Sequence, residues 1–373
     1  MYDNRSKIIV FIIILALILS LFTIFISSES APAAVSAKSA ALYEPQTQRF
    51  LYLKNADERL GMASTTKIMT ALLALETLDL SENVLIDDRA IGIEGSSIYL
   101  KSGEVMNALD LIYAVLLQSA NDAAAALAYK ISGSIEAFAD LMNQKAEEMG
   151  LKNTNFTNPH GLDDKNHYTT ARDLAIISSA ALRNKDFKTI ASTYKKEIQS
   201  SDETRILVNH NKMLKMYDGC IGVKTGYTKK SGRCLVSAAE RDMLTMICVT
   251  IDAPDDWNDH TKMLDYGYSL LEARMLASVG EFNFKIPVLN GTNDYVSISN
   301  TEEIKRIFKT NDSEVEYCVK LSRYASAPIK SGDILGSVIF TKDGENIAVL
   351  NLYATENIDL KESKKGFFHF LKK

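Results

Sequence analysis

The sequence predicts an α+β domain followed by a small all-β domain. From about Ala40 to Arg274, segments with the apolar spacing of helices are mixed with segments that have the composition of strands. Two of the strand segments are joined by a short polar turn, which indicates a hairpin and therefore a mostly antiparallel sheet. From about Leu276 to residue 358 only strand patterns are found. The 373 residues and 46% hydrophobic content are enough for one large core and one smaller core.

The helices of the first domain are predicted from apolar residues that recur at intervals of three and four. They are Ser64 to Leu78, Ala108 to Lys130, Ile135 to Met149, Ala171 to Leu182 and Trp257 to Ala273. Runs of β-branched and other apolar residues predict the strands. These are Ala41 to Leu53, Gly219 to Lys224, Gly232 to Ala239 and Met243 to Ile251, the last two joined by the turn "ERD".

Two segments predict the strands of the second domain. In "SEVEYCVKL", apolar residues alternate at Val315, Tyr317, Val319 and Leu321, as on one face of a strand. In "ILGSVIFTKDGENIAVLNL", the pair Asp343-Gly344 separates two apolar runs, which is a strong signal for a two-residue hairpin turn. The domain boundaries are therefore placed at 40–275 and 276–358.

The first residues have the pattern of an export segment. Arg5 and Lys7 precede an uncharged apolar run from Ile8 to Ile26, and small residues with A-x-A spacing follow, for instance Ala31 to Ala33. The run is long enough to span a bilayer, so residues 1–39 are predicted to be either a cleaved signal peptide or an uncleaved membrane segment with a linker. Under both alternatives the rest of the chain is exported.

The last residues, 359–373, predict an amphipathic membrane anchor. The end of the chain reads "LKESKKGFFHFLKK", which combines lysines with phenylalanines and leucines. A short basic and aromatic helix of this kind binds the interface of an anionic membrane. An apolar N-terminal segment favours this reading over a frayed tail.

The remaining composition excludes other classes. The net charge of -5 gives no basic face for nucleic acid. The histidines form no HExxH cluster and the four cysteines no CxxC pair, so neither a metal nor another cofactor is predicted. The cysteines are expected to be mostly buried small apolar residues, with a disulfide between Cys220 and Cys234 as the alternative hypothesis.

The first motif is Ser64-x-x-Lys67, at the predicted start of a helix. A spacing of three places both side chains on one helical face, and backbone N–H groups at a helix start are free to stabilise an oxyanion. A partly desolvated lysine near other cations can take the proton of the serine hydroxyl. The spacing alone is weak evidence, because Ser192-x-x-Lys195 fits it as well.

The second motif is Ser119-Ala120-Asn121, which follows the apolar stretch from Leu109 to Leu117. Its polar side chains interrupt a helix that is otherwise built for burial. Because buried polar groups need partners, this pair is expected to face a polar cleft.

The third motif is Lys224-Thr225-Gly226, at the end of the strand "DGCIGV". Its cation and hydroxyl are suited to a carboxylate, and Gly226 lets a substrate backbone approach closely. Other segments match a loose K-[ST]-G pattern, but only Lys224 follows the first two motifs between a strand and an apolar hairpin. They begin at Lys101, Lys230 and Lys330.

The order S-x-x-K, S-x-N, K-T-G resembles that of the penicillin-binding proteins and serine β-lactamases. The flanking segments "MASTTKIMTALLALE", "EGSSIYLKSGE", "LLQSANDAAAALA", "NTNFTNPHGLDD" and "DGCIGVKTGYTKKSGRCLVSAAER" are similar to the low-molecular-mass D-alanyl-D-alanine carboxypeptidases. The resemblance implies a penicillin-binding/β-lactamase-like transpeptidase fold, an antiparallel sheet with helices on both sides. It also implies a C-terminal β domain that ends in an amphipathic anchor.

The resemblance implies that Ser64 attacks the carbonyl between two terminal D-alanines, with Lys67 as general base. Ser119 would relay a proton to the leaving amine. Asn121 would hold the substrate amide and the Lys67 amine. Asp122, directly after this motif, is expected to be structural.

The same resemblance assigns substrate binding to the third motif. Lys224 and Thr225 would bind the terminal carboxylate, and Gly226 would let the substrate approach. The oxyanion hole would use the backbone N–H groups of Ser64 and Tyr227. The loop from His160 to Asp163 would border the site, with His160 in a loop-stabilising hydrogen bond rather than acting as a base.

The implied function is that of a serine D,D-carboxypeptidase in peptidoglycan biosynthesis and cell-shape control, on the outer face of the cytoplasmic membrane. Its expected partners are stem peptides ending in D-Ala-D-Ala and β-lactam antibiotics. A serine β-lactamase is the first alternative, but no E-x-x-L-N segment lies between Asn121 and Lys224. A D,D-endopeptidase shares the same chemistry, and an inert membrane-tethered scaffold protein is the alternative of another class. A vegetative and a sporulation role both remain open.

Overall fold

A computed structural model describes residue 32 and residues 34–362. Two compact units divide the chain. Residues up to 239, together with 246–266, form the first unit, whereas residues 240–245 and 267 onward form the second. The division falls at 266/267, within a helix, whereas the sequence analysis places the change from mixed helix and strand patterns to strand patterns at about 276. Each unit has its own hydrophobic core.

The strands of the first unit form one main sheet and two small hairpins. The main sheet has the order β2-β1-β9-β8-β7, so that β7 lies at its edge. The pairs β3–β4 and β5–β6 form separate antiparallel hairpins. The bounds are β1 Ser39–Glu44, β2 Arg49–Lys54, β3 Asn83–Leu85, β4 Val105–Asn107, β5 Lys195–Gln199, β6 Thr204–Val208, β7 Cys220–Thr228, β8 Gly232–Arg241 and β9 Leu244–Ile251.

The helices pack with this sheet around a core rich in alanine and leucine. Several begin at side-chain caps, as when Thr170 Oγ1 accepts a hydrogen bond from Asp173 N at 3.0 Å. Their bounds are α1 Lys67–Thr77, α2 Ala108–Tyr113, α3 Asn121–Ser132, α4 Ile135–Glu148, α5 Ala171–Arg183, α6 Lys185–Ser192, α7 Met213–Met216 and α8 Asp256–Leu270. Short turns of tighter helix lie at Ala63–Thr66 and Asp88–Ala90, and a π-helical turn at Ala114–Gln118.

The sequence prediction of one helix from Ala108 to Lys130 is wrong. The chain forms α2, then the π-helical turn, and is broken at Ser119, whose φ of 61° is left-handed. The helix restarts as α3 at Asn121. The apolar periodicity continues through the break because the residues on both sides face the same core.

Other predicted bounds also need correction. The single strand from Ala41 to Leu53 is the antiparallel hairpin of β1 and β2. Helix α8 ends at Leu270, and residues 271–277 form a strand instead of continuing the helix to Ala273. Strand β7 extends to Thr228, so that Lys224-Thr225-Gly226 lies inside the strand rather than at its end. Ser64 belongs to the short 3₁₀ turn, and the α-helix begins at Lys67.

The second unit is built of strands after residue 270. Its larger sheet has the order β14-β16-β17-β12-β11-β15, and β10 pairs with β13. The predicted hairpin is present, with Asp343 and Gly344 both at positive φ between β16 and β17. The bounds are β10 Leu271–Ala277, β11 Asn283–Leu289, β12 Tyr295–Ser299, β13 Ile304–Lys309, β14 Glu316–Leu321, β15 Ala325–Ser326, β16 Ile334–Lys342 and β17 Glu345–Ala354.

The alternative of a Cys220–Cys234 disulfide is wrong. Both residues lie on the β7–β8 ladder, but Cys220 pairs with Ala239 whereas Cys234 pairs with Gly226. Six strand residues separate the two positions, roughly 20 Å at the usual rise per residue. All four cysteines are free; Cys234 and Cys248 are buried as expected, Cys220 is half-buried and Cys318 is exposed.

Most of the two predicted membrane segments lies outside the described residues, including the apolar run from Ile8 to Ile26 and the basic tail after residue 362. The first residues of the predicted anchor, 359–362, are described and extend the β structure: Leu360 forms an isolated bridge with Gly291, and Lys361 N donates to the carbonyl oxygen of Asn290 at 2.8 Å. In the part of the chain that the structure describes, no helix has the length and apolar character to cross a bilayer.

Candidate active site

Ser64 lies in a tight turn that leads directly into α1. Thr65 and Thr66 turn their hydroxyls back onto the carbonyl oxygens of Met62 and Ala63, at 2.6 and 2.8 Å. Ala63 has a positive φ of 46°, a conformation that residues with a side chain rarely adopt. These contacts hold Ser64 half-buried at the beginning of α1, where backbone N–H groups have no partner within the helix.

Lys67 lies one turn further along, completely buried beneath Ser64. Its Nζ is 3.1 Å from Ser64 Oγ, 2.6 Å from Asn121 Oδ1 and 2.6 Å from the carbonyl oxygen of His160. The first two motifs of the sequence analysis therefore meet at this amine.

The surroundings of Lys67 favour its neutral form. Burial lowers the pKa of the amine well below its ordinary value, and the nearby cation Lys224 lowers that pKa further. The carboxylate of Asp122 acts in the opposite direction. Neutral lysine is the form that accepts a proton.

The break before α3 presents Ser119 and Asn121 to the same place. Ser119 lines the groove in its left-handed conformation. The Asn121 side-chain amide donates to the carbonyl oxygen of Glu94, and its backbone N–H donates to that of Ser96 at 2.7 Å. Because the amide nitrogen is used in this way, its oxygen faces Lys67.

Asp122 supports the loop that holds Asn121. Its carboxylate accepts hydrogen bonds from Ser97 Oγ and from the backbone N–H groups of Ile98 and Leu100, at 2.5, 3.2 and 3.1 Å. It is almost fully buried and does not line the groove. This agrees with the structural role expected for it.

Strand β7 forms the opposite side of the groove through the third motif. Thr225, Gly226 and Tyr227 line the groove, and Tyr227 is 65% exposed. A Cβ atom added at Gly226 would lie 2.9 Å from the backbone nitrogen of Ser64. The absence of a side chain at Gly226 therefore keeps the space in front of that nitrogen open.

Lys224 lies buried beside the groove rather than lining it. Its Nζ donates to the carbonyl oxygen of Thr225 at 2.9 Å. Burial lowers the pKa of this amine to about 7. Its charge therefore acts on the site at close range and changes near neutral pH.

The loop after α4 contacts both the Ser64 turn and Lys67. Besides its carbonyl bond to Lys67, His160 accepts a long hydrogen bond of 3.4 Å at Nδ1 from Leu162 N. Burial, and then the neighbouring Lys67, lowers the pKa of His160 to about 3. Asp163 accepts hydrogen bonds from Thr228 and Ser231 at the end of β7, so the loop is tied to the strand.

The groove has a volume of about 360 Å³ and contains residues that the sequence analysis did not single out. These residues are Ser96, His210, Lys212, Arg233, Cys234, Asp256 and Trp257.

Arg233 is directly opposite Tyr227 in the β7–β8 register. An Asp256 carboxylate oxygen holds its guanidinium at 2.8 Å. The sequence feature that could have identified Arg233 as a groove residue is its position in the hairpin after the third motif.

The remaining pattern matches lie elsewhere. Ser192 ends α6 with its hydroxyl on the carbonyl oxygen of Thr189, and Lys195 is exposed on β5. Lys101 pairs with Glu203 on the surface. Within the described ranges, His, Cys, Asp and Glu side chains form no group that would hold a metal ion.

Family models match most of the chain. The model described as D-alanyl-D-alanine carboxypeptidase, peptidase family S11, matches residues 26–255. The model described as the C-terminal domain of penicillin-binding protein 5 matches residues 272–360.

Individual proteins are similar over nearly the same length. The chain is 38% identical over 348 residues to the D-alanyl-D-alanine carboxypeptidase DacF of Bacillus subtilis, covering 90% of this chain and 88% of the relative. Penicillin-binding protein 5 of Haemophilus influenzae superposes with a TM-score of 0.64 and 29% identity, over 88% of this chain and 99% of that one. The Streptomyces K15 DD-transpeptidase superposes with a TM-score of 0.62 and 32% identity, over 65% of this chain and all of the other.

These matches confirm the fold and the family expected from the motifs. The penicillin-binding type of transpeptidase fold and the C-terminal β domain are both present. From its fold, its matched models and its relatives, the chain belongs to the serine D-alanyl-D-alanine carboxypeptidase family, peptidase family S11.

Proposed function

We propose that this enzyme removes the terminal D-alanine from peptidoglycan stem pentapeptides through an acyl-enzyme on Ser64, and that penicillins acylate the same serine. The observation that carries this proposal is the position of Lys67. A buried amine with a lowered pKa lies 3.1 Å from the Ser64 hydroxyl at the open groove.

The partners of Lys67 determine the direction of proton transfer. Asn121 Oδ1 and the His160 carbonyl oxygen can only accept hydrogen bonds, whereas the Ser64 hydroxyl also has a proton to give. A neutral amine has two N–H donors and one lone pair. The two donors serve the carbonyl oxygens, so the lone pair faces the Ser64 hydroxyl and accepts its proton.

In the acylation step, Ser64 Oγ bonds to the carbonyl carbon and the C–N bond to the terminal D-alanine breaks. The proton taken by Lys67 passes to the leaving amine, with Ser119 as the relay across the groove. Asn121 orients Lys67 and holds the substrate amide. Water then hydrolyses the ester and returns the proton to Ser64.

The developing oxyanion is stabilised by the backbone N–H groups of Ser64 and Tyr227. The free space beside Gly226 lies directly in front of the Ser64 nitrogen. Removing one such donor costs about 100-fold to 1000-fold in rate.

The terminal carboxylate binds at the β7 side of the groove. Thr225 contacts it with its hydroxyl, and Arg233, which pairs with Tyr227 across the β7–β8 ladder and also lines the groove, supplies a guanidinium. Lys224 attracts the carboxylate from behind the strand, because its amine is buried on the Thr225 carbonyl oxygen. The structure thus supports adding Arg233 to the predicted binding residues Lys224, Thr225, Gly226 and Tyr227.

The test is release of free D-alanine from a synthetic pentapeptide, together with intact mass after incubation with benzylpenicillin. A carboxypeptidase gives D-alanine and a long-lived adduct on Ser64, and Ser64→Ala gives neither. Ser192→Ala is the matched control, because that serine has the same S-x-x-K spacing outside the groove.

Other results would support other functions. Rapid penicillin turnover without an adduct would indicate a β-lactamase. Cleavage of cross-linked dimers without cleavage of the pentapeptide would indicate an endopeptidase. No reaction with either compound would indicate an inert scaffold.

We also infer where the enzyme works. Residues 1–39 would export it, residues 40–275 would form the peptidase domain, 276–358 the C-terminal β domain, and 359–373 would bind the outer face of the cytoplasmic membrane. The aromatic and basic composition of the tail supports this. Deleting residues 360–373 and any uncleaved N-terminal segment should release the protein from anionic vesicles, and continued binding would contradict the anchor.

A further inference from the structure

His167 is a buried histidine next to the nucleophile turn that the proposed reaction does not use. It is 4% exposed. Its Nε2 is 2.7 Å from Thr66 Oγ1, and its Nδ1 is 3.0 Å from the backbone nitrogen of Thr157. Phe156 packs edge-on against the ring.

These contacts fix the proton on one ring nitrogen. A backbone N–H can only donate, so Thr157 N requires an unprotonated Nδ1. Burial lowers the pKa of His167 to about 4, so the ring is neutral at pH 7 and its proton is on Nε2. Nε2 therefore donates to Thr66 Oγ1, and the Thr66 hydroxyl must turn its own proton elsewhere.

The Thr66 hydroxyl donates to the carbonyl oxygen of Ala63, at 2.8 Å. Gly161 packs against that same oxygen, since a Cβ atom added at Gly161 would lie 1.9 Å from it. A relay from His167 through Thr66 thus fixes the Ala63 carbonyl oxygen.

The Ala63 carbonyl and the Ser64 N–H belong to one peptide unit. A trans peptide is planar, so its C=O and N–H point in opposite directions and one cannot turn without the other. Fixing the Ala63 oxygen on the loop side therefore directs the Ser64 N–H toward the space that Gly226 leaves open. Accepting a hydrogen bond at the carbonyl also polarises the peptide and strengthens its N–H as a donor.

We propose that His167 is a positioning residue, which directs the oxyanion-hole N–H of Ser64 by way of Thr66 and the Ala63 carbonyl. This inference rests on the proposed function, in which that N–H stabilises the tetrahedral intermediate. It assigns His167 and Thr66 to transition-state stabilisation rather than to substrate binding.

The test separates the acylation rate constant from the dissociation constant for a fluorescent penicillin, in the full chain. Thr66→Val removes the hydroxyl at nearly constant size. His167→Ala removes the ring, whereas His167→Gln keeps an amide able to accept from Thr157 and donate to Thr66. We expect Thr66→Val and His167→Ala to lower the acylation rate constant at least tenfold with little change in the dissociation constant. His167→Gln should restore part of the rate.

Two matched controls account for the structural cost of these changes. Ser178→Ala removes a fully buried hydroxyl that likewise donates to a backbone carbonyl oxygen, that of Leu174 in α5, and that does not line the groove. His260→Gln removes a fully buried histidine that bridges Ser237 and Thr250 away from the groove. Both should keep the wild-type acylation rate constant, whatever they do to thermal stability.

A further measurement uses a boronic acid, which forms a tetrahedral adduct with an oxygen in the oxyanion hole. Its affinity should fall in parallel with the acylation rate constant. The double variant Thr66→Val/His167→Ala should lose no more than the more impaired single variant, because both act through one relay.

The inference is overturned if the wild type is acylated while folded Thr66→Val and His167→Ala keep its acylation rate constant. It is also overturned if Thr66→Val and His167→Ala raise the dissociation constant for the penicillin instead of lowering the acylation rate constant. A wild type that is never acylated would instead refute the proposed function.

Discussion

At the scale of single residues, Lys67 has the contacts that the proposed chemistry requires. It is buried against two carbonyl-type oxygens and one hydroxyl, so its lone pair has one direction in which it can accept a proton. Lys224 contributes through its charge, which lowers the pKa of the Lys67 amine. The two buried lysines thus have different tasks: Lys67 is the neutral amine that accepts a proton, and Lys224 supplies a positive charge.

Lys67→Ala and Lys67→Arg should both lose acylation by penicillin by about 100-fold to 10,000-fold, the usual value of general-base catalysis. The alanine lacks the base, and arginine stays charged at every accessible pH. Stopped-flow acylation measures the rate, and circular dichroism checks the fold. Wild-type rates in either folded variant would contradict the assignment of the base.

Lys224 should make peptide binding depend on pH. Its amine has a pKa of about 7, so it is cationic below that pH and neutral above it. Attraction for the terminal carboxylate is therefore lost as the pH rises, and KM should increase between pH 6 and 9. Lys224→Ala should have a high KM that does not change over this range. A constant KM in the wild type would show that Lys224 does not carry this charge.

Strand β7 and the Ser64 turn form the site at the scale of elements. The edge strand is packed so closely on the turn that a side chain at Gly226 would approach Ser64 N at 2.9 Å and Thr65 N at 3.0 Å. The break at Ser119 is the corresponding feature on the other side of the groove. The Ser64 turn, with Ala63 at a φ of 46°, and the break at Ser119, with a φ of 61°, both depart from regular helix geometry beside the groove.

Gly226→Ala should therefore lower the acylation rate constant by about 100-fold, because the methyl group fills the oxyanion position. Gly103→Ala is the control, since a Cβ atom at Gly103 meets nothing within 4 Å. That control should lose some stability at its positive φ of 71° but no activity. Equal rates in Gly226→Ala and the wild type would argue against an oxyanion hole at this place.

At the scale of the whole molecule, buried histidines make the stability of the fold depend on pH. His160, His167 and His260 lie in the first unit, and burial lowers their pKa values to about 3, 4 and 3. The unfolded chain takes up these protons near pH 6.5, before the folded chain does. Stability is therefore lost as the pH falls from about 6.5 toward 4.

The free energy of unfolding of the first unit should fall by about 2 kcal/mol for each of these histidines between pH 7 and pH 5. Trp257 is the single tryptophan of the sequence and lies in this unit, so urea unfolding followed by its fluorescence measures the effect. His260→Gln should reduce the number of protons taken up on unfolding by one, and so weaken the pH dependence of the free energy of unfolding. A midpoint that is equal at pH 7 and pH 5 would contradict this prediction.

The sequence by itself determined the fold class and the family, and its motifs predicted the residues to which the proposed chemistry is assigned. Apolar periodicity reports burial, which is why α4, α5 and the Asp343-Gly344 hairpin were predicted closely. The three motifs are local in the chain, and their order together with their flanking residues is specific. The motifs led us to expect Ser64, Lys67, Ser119, Asn121, Lys224 and Thr225 in one groove. Ser64, Ser119 and Thr225 line the groove, whereas Lys67, Asn121 and Lys224 are buried next to it.

The tertiary structure alone decided how these groups act. The break at Ser119, the burial of Lys224, the presence of Arg233 at the groove and the relay from His167 all depend on contacts between residues far apart in the chain. A periodic pattern records that a residue is buried but not which atoms it meets. The direction of a lone pair or of a peptide plane, and the place at which a charge acts, follow only from these atomic contacts.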